Sequence, residues 1–299
     1  MRGLLQCYGA NRTGRWAGRL VQVQNLPRNY IENLSLARDL VKARDKELLE
    51  MLFGNVTDTI SQLIRTAFIP CDGKKFIISD YSAIEARVIA WLAGEKWVNE
   101  VFASHGKIYE ATASQMFGVP IEKIKKGNPE YALRQKGKVA TLALGYQGGV
   151  GALKAMGADR MGLDDEELDD IKNRWRQANK NIVNFWYDLE NAAVSVVETG
   201  EPRRVKCLDL SLEIDPIYGL SYLAIKLPSG RSLYYPKPHL KENQFGKYAV
   251  HFMGIGVNRK FSEESTYGGK LTENCVQAIA RDCLAHALLN LYKDYPFEQ

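Results

Sequence analysis

Apolar and polar residues along the chain follow two periods, one of about 3.6 residues and one of 2, which are typical of helices and strands. Strand patterning runs through residues 203–253, and residues 1–30 predict a loop with short extended pieces. These patterns predict an α+β fold in which a small sheet carries a large helical insertion. The predicted helices cover residues 32–53, 83–92, 107–117, 131–144, 163–199 (as two helices) and 270–292.

A short run, Lys75–Ser79, predicts one more strand, and its β-branched and aromatic residues favour a buried position. Asp80 follows this run directly, and Glu85 lies in the helix that is predicted next. A hard cation such as Mg²⁺ prefers carboxylate and carbonyl oxygens, and the Tyr81 carbonyl is adjacent to Asp80. The two carboxylates therefore indicate a metal site, although a plain N-cap role for Asp80 is an open alternative.

The helix predicted over residues 131–144 carries a row of positions spaced four residues apart, Arg134, Lys138 and Leu142. Arg134 and Tyr146 lie about 18 Å apart along a helix, on the order of an extended nucleoside triphosphate. Cations at one end of such a row can hold phosphates, and an aromatic ring at the other end can stack on a base. The alternative is a solvated basic face with no ligand.

The last predicted helix, residues 270–292, is amphipathic. Its apolar side is lined by Leu271, Val276, Ile279, Cys283, Leu284 and Leu288. Another side is lined by Lys270, Asn274, Gln277 and Arg281.

Composition narrows the class of protein. The 299 residues are 45% hydrophobic and 25% charged, which is ordinary for a globular protein. No apolar run reaches the roughly 18 residues of a membrane span, and the N-terminal segment lacks the pattern of a signal peptide. Five cysteines without a C-x-x-C motif argue against a disulfide framework or a structural zinc site. We therefore expect no membrane partner and a reducing, intracellular setting.

The net charge of +5 is unevenly distributed. Residues 1–50 carry nine Lys or Arg against five Asp or Glu, and residues 121–160 carry eight against three. Two basic zones on either side of the Asp80 and Glu85 carboxylates suit a polyanionic ligand held next to metal ions. Solvated surfaces are the open alternative.

Together these segments resemble family A DNA polymerases, the DNA polymerase I group, in their phage-type branch. Asp80–Arg87 resembles motif A, and the spacing Arg134-x3-Lys138-x7-Tyr146 resembles motif B on the O helix. Gly18–Leu20 and Gln24–Pro27 resemble the palm segment that contacts primer–template. Leu63–Phe68 resembles the approach to the catalytic strand. Asn274 and Gln277 resemble the palm helix that reads the minor groove.

The resemblance implies a small antiparallel palm sheet with a large, mostly helical fingers insertion. It implies an N-terminal palm part at residues 1–90 and a C-terminal palm helix at residues 266–299. The fingers would occupy residues 91–265, including the O helix and a β-rich insertion at about residues 203–253.

It also implies template-directed DNA synthesis, in which a primer 3′-hydroxyl attacks a dNTP. Two Mg²⁺ ions would be held by Asp80 and the Tyr81 carbonyl. Arg134 and Lys138 would bind the β- and γ-phosphates, and Lys138 would also be a catalytic proton donor to the leaving group. The expected partners are primer–template DNA and dNTP, in the cytoplasm of a bacterium or a phage-infected host cell.

The same resemblance assigns the rest of the nucleotide pocket and the DNA contacts. Glu85 would sit under the sugar and crowd out a ribose 2′-hydroxyl, and Tyr146 would shape the pocket of the nascent base pair. Leu142 stands where many relatives carry Phe or Tyr. The expected DNA contacts are Arg19, Gln24, Asn25, Arg65, Asn274 and Gln277.

Several features depart from the family pattern. Gln147 stands where the bacterial enzymes have Gly, residues 205–260 look longer, and no His-Asp-Glu motif C occurs in these 299 residues. We therefore expect this chain alone to be inactive. The alternatives are a catalytically incomplete DNA-binding fragment, or one chain of a split polymerase that a second chain completes with motif C and the thumb. An RNA-binding module is a third possibility, but it would leave Asp80 and Glu85 unexplained.

Overall fold

The computed structural model describes residues 3–158, 162–243, 246–256 and 260–295. The chain divides into two compact units. The first unit contains the chain up to Ala10 together with Trp16–Tyr81, and the second contains Asn11–Arg15 together with the chain from Ser82 onward.

The described residues of the first unit form a two-stranded ribbon and three short helices. Strands β1 (Leu5–Gln6) and β2 (Ala17–Gly18) pair in antiparallel fashion. The helices are α1 (Leu34–Ala43), α2 (Lys46–Phe53) and α3 (Val56–Leu63), with 3-10 turns at Val23–Asn25 and Ile64–Ala67. Each α-helix begins at an Asn or Asp whose side chain accepts a hydrogen bond from a first-turn backbone N–H, so residue choice at the caps explains where the helices start.

The segment Lys75–Ser79 is not a strand, so the sequence prediction there was wrong. Phe76, Ile77 and Ile78 are 57%, 86% and 89% exposed. Strand propensity reports how well a side chain fits a pleated surface, but a strand also needs a neighbour that accepts its backbone hydrogen bonds. Within the described part of the chain no strand pairs with this segment, and it therefore lies open.

The second unit holds eight α-helices among its described residues. The bounds of six agree closely with the predicted ones, whereas the helices at Lys96–Ser104 and Val150–Ala155 were not predicted. The eight are α4 (Ile84–Ala93), α5 (Lys96–Ser104), α6 (Ile108–Phe117), α7 (Ala132–Leu144), α8 (Val150–Ala155), α9 (Asp165–Ala178), α10 (Lys180–Thr199) and α11 (Gly268–Asp294). A capping box formed by Asp164 and Glu167 starts α9, and Gly94 in the left-handed region ends α4.

Two antiparallel sheets follow α10, as the strand patterning predicted. The first has the order β3 (Arg203–Val205), β4 (Leu208–Ile214), β5 (Ser221–Lys226), β6 (Ser232–Pro236). The second has the order β7 (His239–Glu242), β8 (Tyr248–Ile255), β9 (Phe261–Ser265). The strand-rich region thus reaches Ser265, beyond the predicted end at residue 253. The α+β fold class is confirmed.

The main core of the second unit lies where α10 and α11 pack with these sheets. Trp186 is fully buried, stacks on Trp175 with ring centroids 6.0 Å apart, and donates from its indole nitrogen to the Gly145 carbonyl at 2.9 Å. Removing such a side chain typically costs about 3–5 kcal/mol.

Helix α11 differs from its predicted pattern in two ways. Its apolar side is buried only as far as Ile279, and Cys283, Leu284 and Leu288 are exposed. Asn274, which was grouped with the polar side, is buried. None of the described helices has the length and apolar character needed to cross a membrane.

Candidate active site

Helix α7 carries the predicted cationic row on its outer side. Its inner face is buried through residues that include Gly137, Val139 and Ala140. Arg134 and Lys138 are half-buried, and Leu142 is exposed. The spacing of four residues therefore does place these side chains along one accessible stripe.

Arg134 is held by helix α6. Its Nε donates to Glu110 Oε1 at 2.7 Å, and its guanidinium lies over the rings of Tyr109 and Tyr131, at 5.5 and 5.9 Å from their centroids. The pKa of Arg134 is raised above its usual value, first by the hydrogen bond to Glu110. Nη1 and Nη2 make no hydrogen bond to any residue that the structure describes, so neither nitrogen is engaged by a protein acceptor there. Glu110 was missed by the sequence reasoning.

The contact between α6 and α7 is unusually close at Gly137. A Cβ atom at this position would overlap the Tyr109 carbonyl oxygen and lie 3.0 Å from the Ala113 nitrogen. One turn further on, the hydroxyls of Thr141 and Thr112 are 3.1 Å apart and hydrogen-bonded. The two helices therefore form a tightly packed pair.

Lys138 contrasts with Arg134, because no residue in the described part of the chain forms a hydrogen bond or ion pair with its ammonium group. A half-buried ammonium without a protein partner is suited to an anionic ligand. Lys136 lies near the Phe117 ring, with its Nζ 5.9 Å from the ring centroid.

Tyr146 and Glu85, which the sequence assigned to one pocket, are in direct contact. The Tyr146 hydroxyl donates to Glu85 Oε2 at 2.8 Å, and Arg15 Nη1 lies 3.7 Å from Glu85 Oε1. Burial raises the pKa of Tyr146, and the nearby negative charge of Glu85 raises it further. Arg15 was not identified in the sequence, where the basic zone of residues 1–50 was the only signal for it.

The C-terminal end of α7 is anchored to α11. Gln147 has a φ of 64°, a region that non-glycine residues rarely adopt. Its side-chain oxygen accepts a hydrogen bond from the Gly269 N–H at 2.8 Å, which supports the backbone in this conformation. A Cβ atom at Gly269 would overlap the Tyr146 carbonyl oxygen, so both partners approach closely.

Within the first unit, the expected metal ligands Asp80 and Tyr81 lie in an exposed, irregular segment. The Asp80 carboxylate has no hydrogen bond or ion pair among the described residues. Asp80 therefore does not act as the N-cap that the sequence left open, and the residue before α4 is Ala83.

The expected DNA contacts of the first unit surround one turn. Arg65 donates to the carbonyls of Leu26 and Pro27, at 2.6 and 2.8 Å, so its guanidinium fixes this turn. Asn25 donates to Gln22 at 2.7 Å, and Gln24 is exposed. Separately, Arg19, which directly follows β2, donates from Nε to Gln6 Oε1 of β1 at 3.1 Å.

On α11, the two expected DNA contacts differ in accessibility. The Asn274 amide donates to the Tyr235 hydroxyl at 3.0 Å inside the core. Gln277 is half-buried and donates to Glu273 Oε1 at 3.1 Å. Near the same helix face, Arg281 Nε donates to the Gly14 carbonyl at 3.0 Å.

The fold is that of a polymerase domain. It matches the structure described as "POL domain of Pol1 from M. smegmatis complex with DNA primer-template and dNTP", with a TM-score of 0.53 and 18% sequence identity. The match covers 94% of this chain and 36% of that one.

The sequence gives the family. Residues 9–213 match the family described as DNA polymerase family A, and the chain belongs to this family. It is 57% identical over 292 residues to the DNA polymerase of Bacillus phage SP02, covering 97% of this chain and 44% of that protein. A shorter region of 69 residues is 44% identical to the thermostable DNA polymerase I of Thermus aquaticus, covering 23% of this chain and 8% of that protein. The chain thus spans less than half the length of these relatives.

Proposed function

We propose that this chain forms the nucleotide-binding region, and part of the catalytic region, of an enzyme that extends a primer strand with dNTPs under the direction of a DNA template. The observation that carries the proposal is the hydrogen bond between Tyr146 and Glu85, in the same unit as the cationic row of α7. One side chain comes from each of the two segments that resemble polymerase motifs. Family membership supports the same activity.

The cationic row would hold the triphosphate. The free Lys138 ammonium and the two unbonded nitrogens of Arg134 offer charge-assisted hydrogen bonds to the β- and γ-phosphates. Lys138 is also the candidate to protonate the pyrophosphate as it leaves. Phosphoryl transfer depends mainly on positioning and charge neutralisation, which these two cations supply.

Glu85 would select the sugar. Its carboxylate is fixed from one side by the Tyr146 hydroxyl and lies near the Arg15 guanidinium on the other. A carboxylate held in place under the sugar leaves no room for a 2′-hydroxyl and therefore favours deoxyribonucleotides. Leu142, exposed on the same stripe as Lys138, is the second residue that could influence sugar choice.

The segment that contains Asp80 would hold the metal ions of the reaction. An exposed carboxylate without a protein partner, next to the Tyr81 carbonyl, matches the hard oxygen ligands that Mg²⁺ prefers. Two bound Mg²⁺ ions would stabilise the charge on the attacking and leaving oxygens. The exposed Asp80 side chain would orient toward such ions.

Primer–template DNA is the proposed polymeric partner, contacted by Arg19, Gln24, Asn25, Arg65, Asn274 and Gln277. Arg65 would act through the Leu26–Pro27 turn that it fixes. Asn274 would have to leave the Tyr235 hydroxyl to reach DNA directly. The enzyme would work in the bacterial cytoplasm, and a further polypeptide segment, in the same or a second chain, would complete it.

The test is primer extension by a chimaera in which this chain replaces the matching 292-residue region of the phage SP02 polymerase. Asp80→Asn should abolish template-directed incorporation and leave the circular dichroism spectrum unchanged. Asp72→Asn, at a second exposed carboxylate of the same unit, is the matched control and should keep normal activity. Normal turnover by the Asp80 variant at saturating primer–template would refute the metal assignment.

The nucleotide pocket has its own test. Lys138→Ala should weaken dNTP use about 10- to 150-fold, because a charge-assisted phosphate contact contributes about 1.5–3 kcal/mol, while DNA affinity changes little. Lys136→Ala controls for loss of a positive charge on α7. Loss of DNA affinity with unchanged dNTP affinity would instead make Lys138 a duplex contact. Glu85→Ala should incorporate ribonucleotides more readily, and unchanged discrimination would shift attention to Leu142.

A further inference from the structure

The second sheet brings two histidines and a glutamate together on one face. His239 of β7 lies directly opposite His251 of β8 in the strand register, and the centroids of the two rings are 5.8 Å apart. Glu263 of β9 is paired with Met253, two residues along from His251, and therefore points to the same face of the sheet. The three strands of this sheet each contribute one side chain to the group.

The Glu263 carboxylate lies between the two imidazole rings. Its Oε2 is 3.2 Å from His239 Nε2, and its Oε1 is 3.2 Å from His251 Nδ1. One ligand atom from each residue lies within 4.8 Å of the other two. Zn²⁺ with bonds of about 2.0–2.2 Å and tetrahedral geometry separates its ligands by about 3.3–3.6 Å, so small side-chain rotations would complete the site.

The tautomer of His239 favours a cation at this position. Its Nδ1 is 3.2 Å from the Lys237 carbonyl oxygen, which can only accept, so a hydrogen bond between them places a proton on Nδ1. With Nδ1 protonated, Nε2 faces a carboxylate oxygen at 3.2 Å, and either a second proton or a metal ion between the two atoms makes this contact favourable. A histidine that ligates a metal commonly donates its other N–H to a backbone carbonyl in this way.

We propose that His239, His251 and Glu263 bind a divalent transition-metal ion, Zn²⁺ in the first instance, that clamps the three strands of this sheet together. Imidazole nitrogen suits zinc and its neighbours in the first transition row, whereas Mg²⁺ prefers oxygen ligands. The site is thus chemically distinct from the oxygen site proposed for the reaction. His251 is mostly buried and the other two ligands are half-exposed, which leaves room for water as a fourth ligand.

The Lys241 ammonium group would compete with a bound metal ion for the Glu263 carboxylate. Its Nζ lies 2.9 Å from Glu263 Oε1, the oxygen that also faces His251. A bound metal would replace this exposed ion pair, which contributes little on its own. Removing the ammonium should therefore strengthen metal binding about 2- to 5-fold, the opposite direction from removing a ligand.

The experiment is calorimetric titration of the intact chain with Zn²⁺, and with Co²⁺ followed by its visible absorption, after alkylation of accessible cysteines. One ion should bind per chain, and the thermal midpoint should rise with metal concentration because the metal binds the folded state. His239→Ala and His251→Ala should each weaken binding at least about 100-fold, since even outer partners of a metal site contribute 10- to 100-fold. His105→Ala and His286→Ala, at the two other histidines of the chain, should bind Zn²⁺ with the affinity of the unmodified protein.

Two further variants keep the proposal testable if a histidine variant unfolds. Glu263→Gln preserves shape and should lose affinity, whereas Lys241→Met should gain it. Equal affinity in all variants, binding that disappears with His105 or His286, or weaker binding by Lys241→Met would each overturn the assignment.

Discussion

The ion pair between Glu110 and Arg134 sets up a competition that can be measured. Nε of Arg134 donates to Glu110 Oε1 at 2.7 Å, and the side chains are 32% and 15% exposed, respectively. If Arg134 binds a triphosphate, the Glu110 carboxylate and the phosphates compete for the same guanidinium group. Replacing Glu110 by Gln keeps the shape and one hydrogen bond but removes the opposing charge. We therefore expect a less stable protein that binds dNTP more tightly.

The magnitude follows from the geometry. A hydrogen bond between charged groups contributes about 1.5–3 kcal/mol, and a neutral one about 0.5–1.5 kcal/mol. The difference is about 1–1.5 kcal/mol, and the partial exposure of Arg134 places the loss of unfolding free energy near 1 kcal/mol. If Arg134 instead gives this interaction free energy of about 1 kcal/mol to a bound phosphate, the affinity for dNTP should rise about 5-fold.

The assay is calorimetric titration of dNTP into the chain, together with urea unfolding. EDTA is present so that metal-mediated contacts do not contribute to binding. Asp170→Asn is the matched control, because Arg174 Nε also lies 2.7 Å from the Asp170 carboxylate, but both side chains are about half exposed. This surface pair should contribute between 0 and about 1 kcal/mol to stability. Its loss should leave dNTP affinity unchanged.

Two results would refute the reasoning. If Glu110→Gln binds dNTP no better than the original chain, Arg134 does not contact the phosphates and serves only to join α6 to α7. If the control variant gains affinity to the same extent, the effect comes from the net charge of the protein, and the local pair is irrelevant.

Two further predictions concern stability. Tyr146→Phe should lose about 1–2 kcal/mol at pH 7, because a partly buried hydroxyl no longer donates to a carboxylate. The pKa of Tyr146 in the folded state is raised above the unfolded value of about 10, so its contribution to the free energy of unfolding is complete below pH 10 and is lost as pH rises beyond it. Urea unfolding between pH 8 and 11 should therefore show a smaller loss of stability with pH in the variant than in the unmodified protein. Some loss should remain in the variant, because Tyr235 also has a raised pKa. Gly137→Ala should lose at least about 1–3 kcal/mol through overlap with the Tyr109 carbonyl, whereas Gly151→Ala, with open space around it, should be neutral or stabilising in the same urea assay.

Local sequence signals predicted most of the longer helices, because caps and breakers act over a few residues, but the short helices α3, α5 and α8 were missed. Gly94 ends α4 and the acidic turn at Asp164 starts α9, as such residues commonly do. The segment Lys75–Ser79 shows the limit of this reasoning, since a strand depends on a partner elsewhere in the chain.

The candidate site was predicted in part. The spacing on α7 located its cations, and the resemblance named Glu85 and Tyr146, but no local pattern indicates that their side chains meet. Glu110 was missed because it lies 24 positions before Arg134. The histidine and glutamate group was missed for a related reason: its members are twelve residues apart, a spacing that becomes a site only after three strands have paired in register.

The close contact at Gly137 has a mechanical consequence. At Gly137 no side chain separates the two helices, and the Tyr109 carbonyl lies directly against the α7 backbone, so we expect α6 and α7 to move together. A movement of α7 toward a ligand would then carry α6 with it as one rigid pair. Glu110 on α6 and Arg134 on α7 would then keep their hydrogen bond during such a movement.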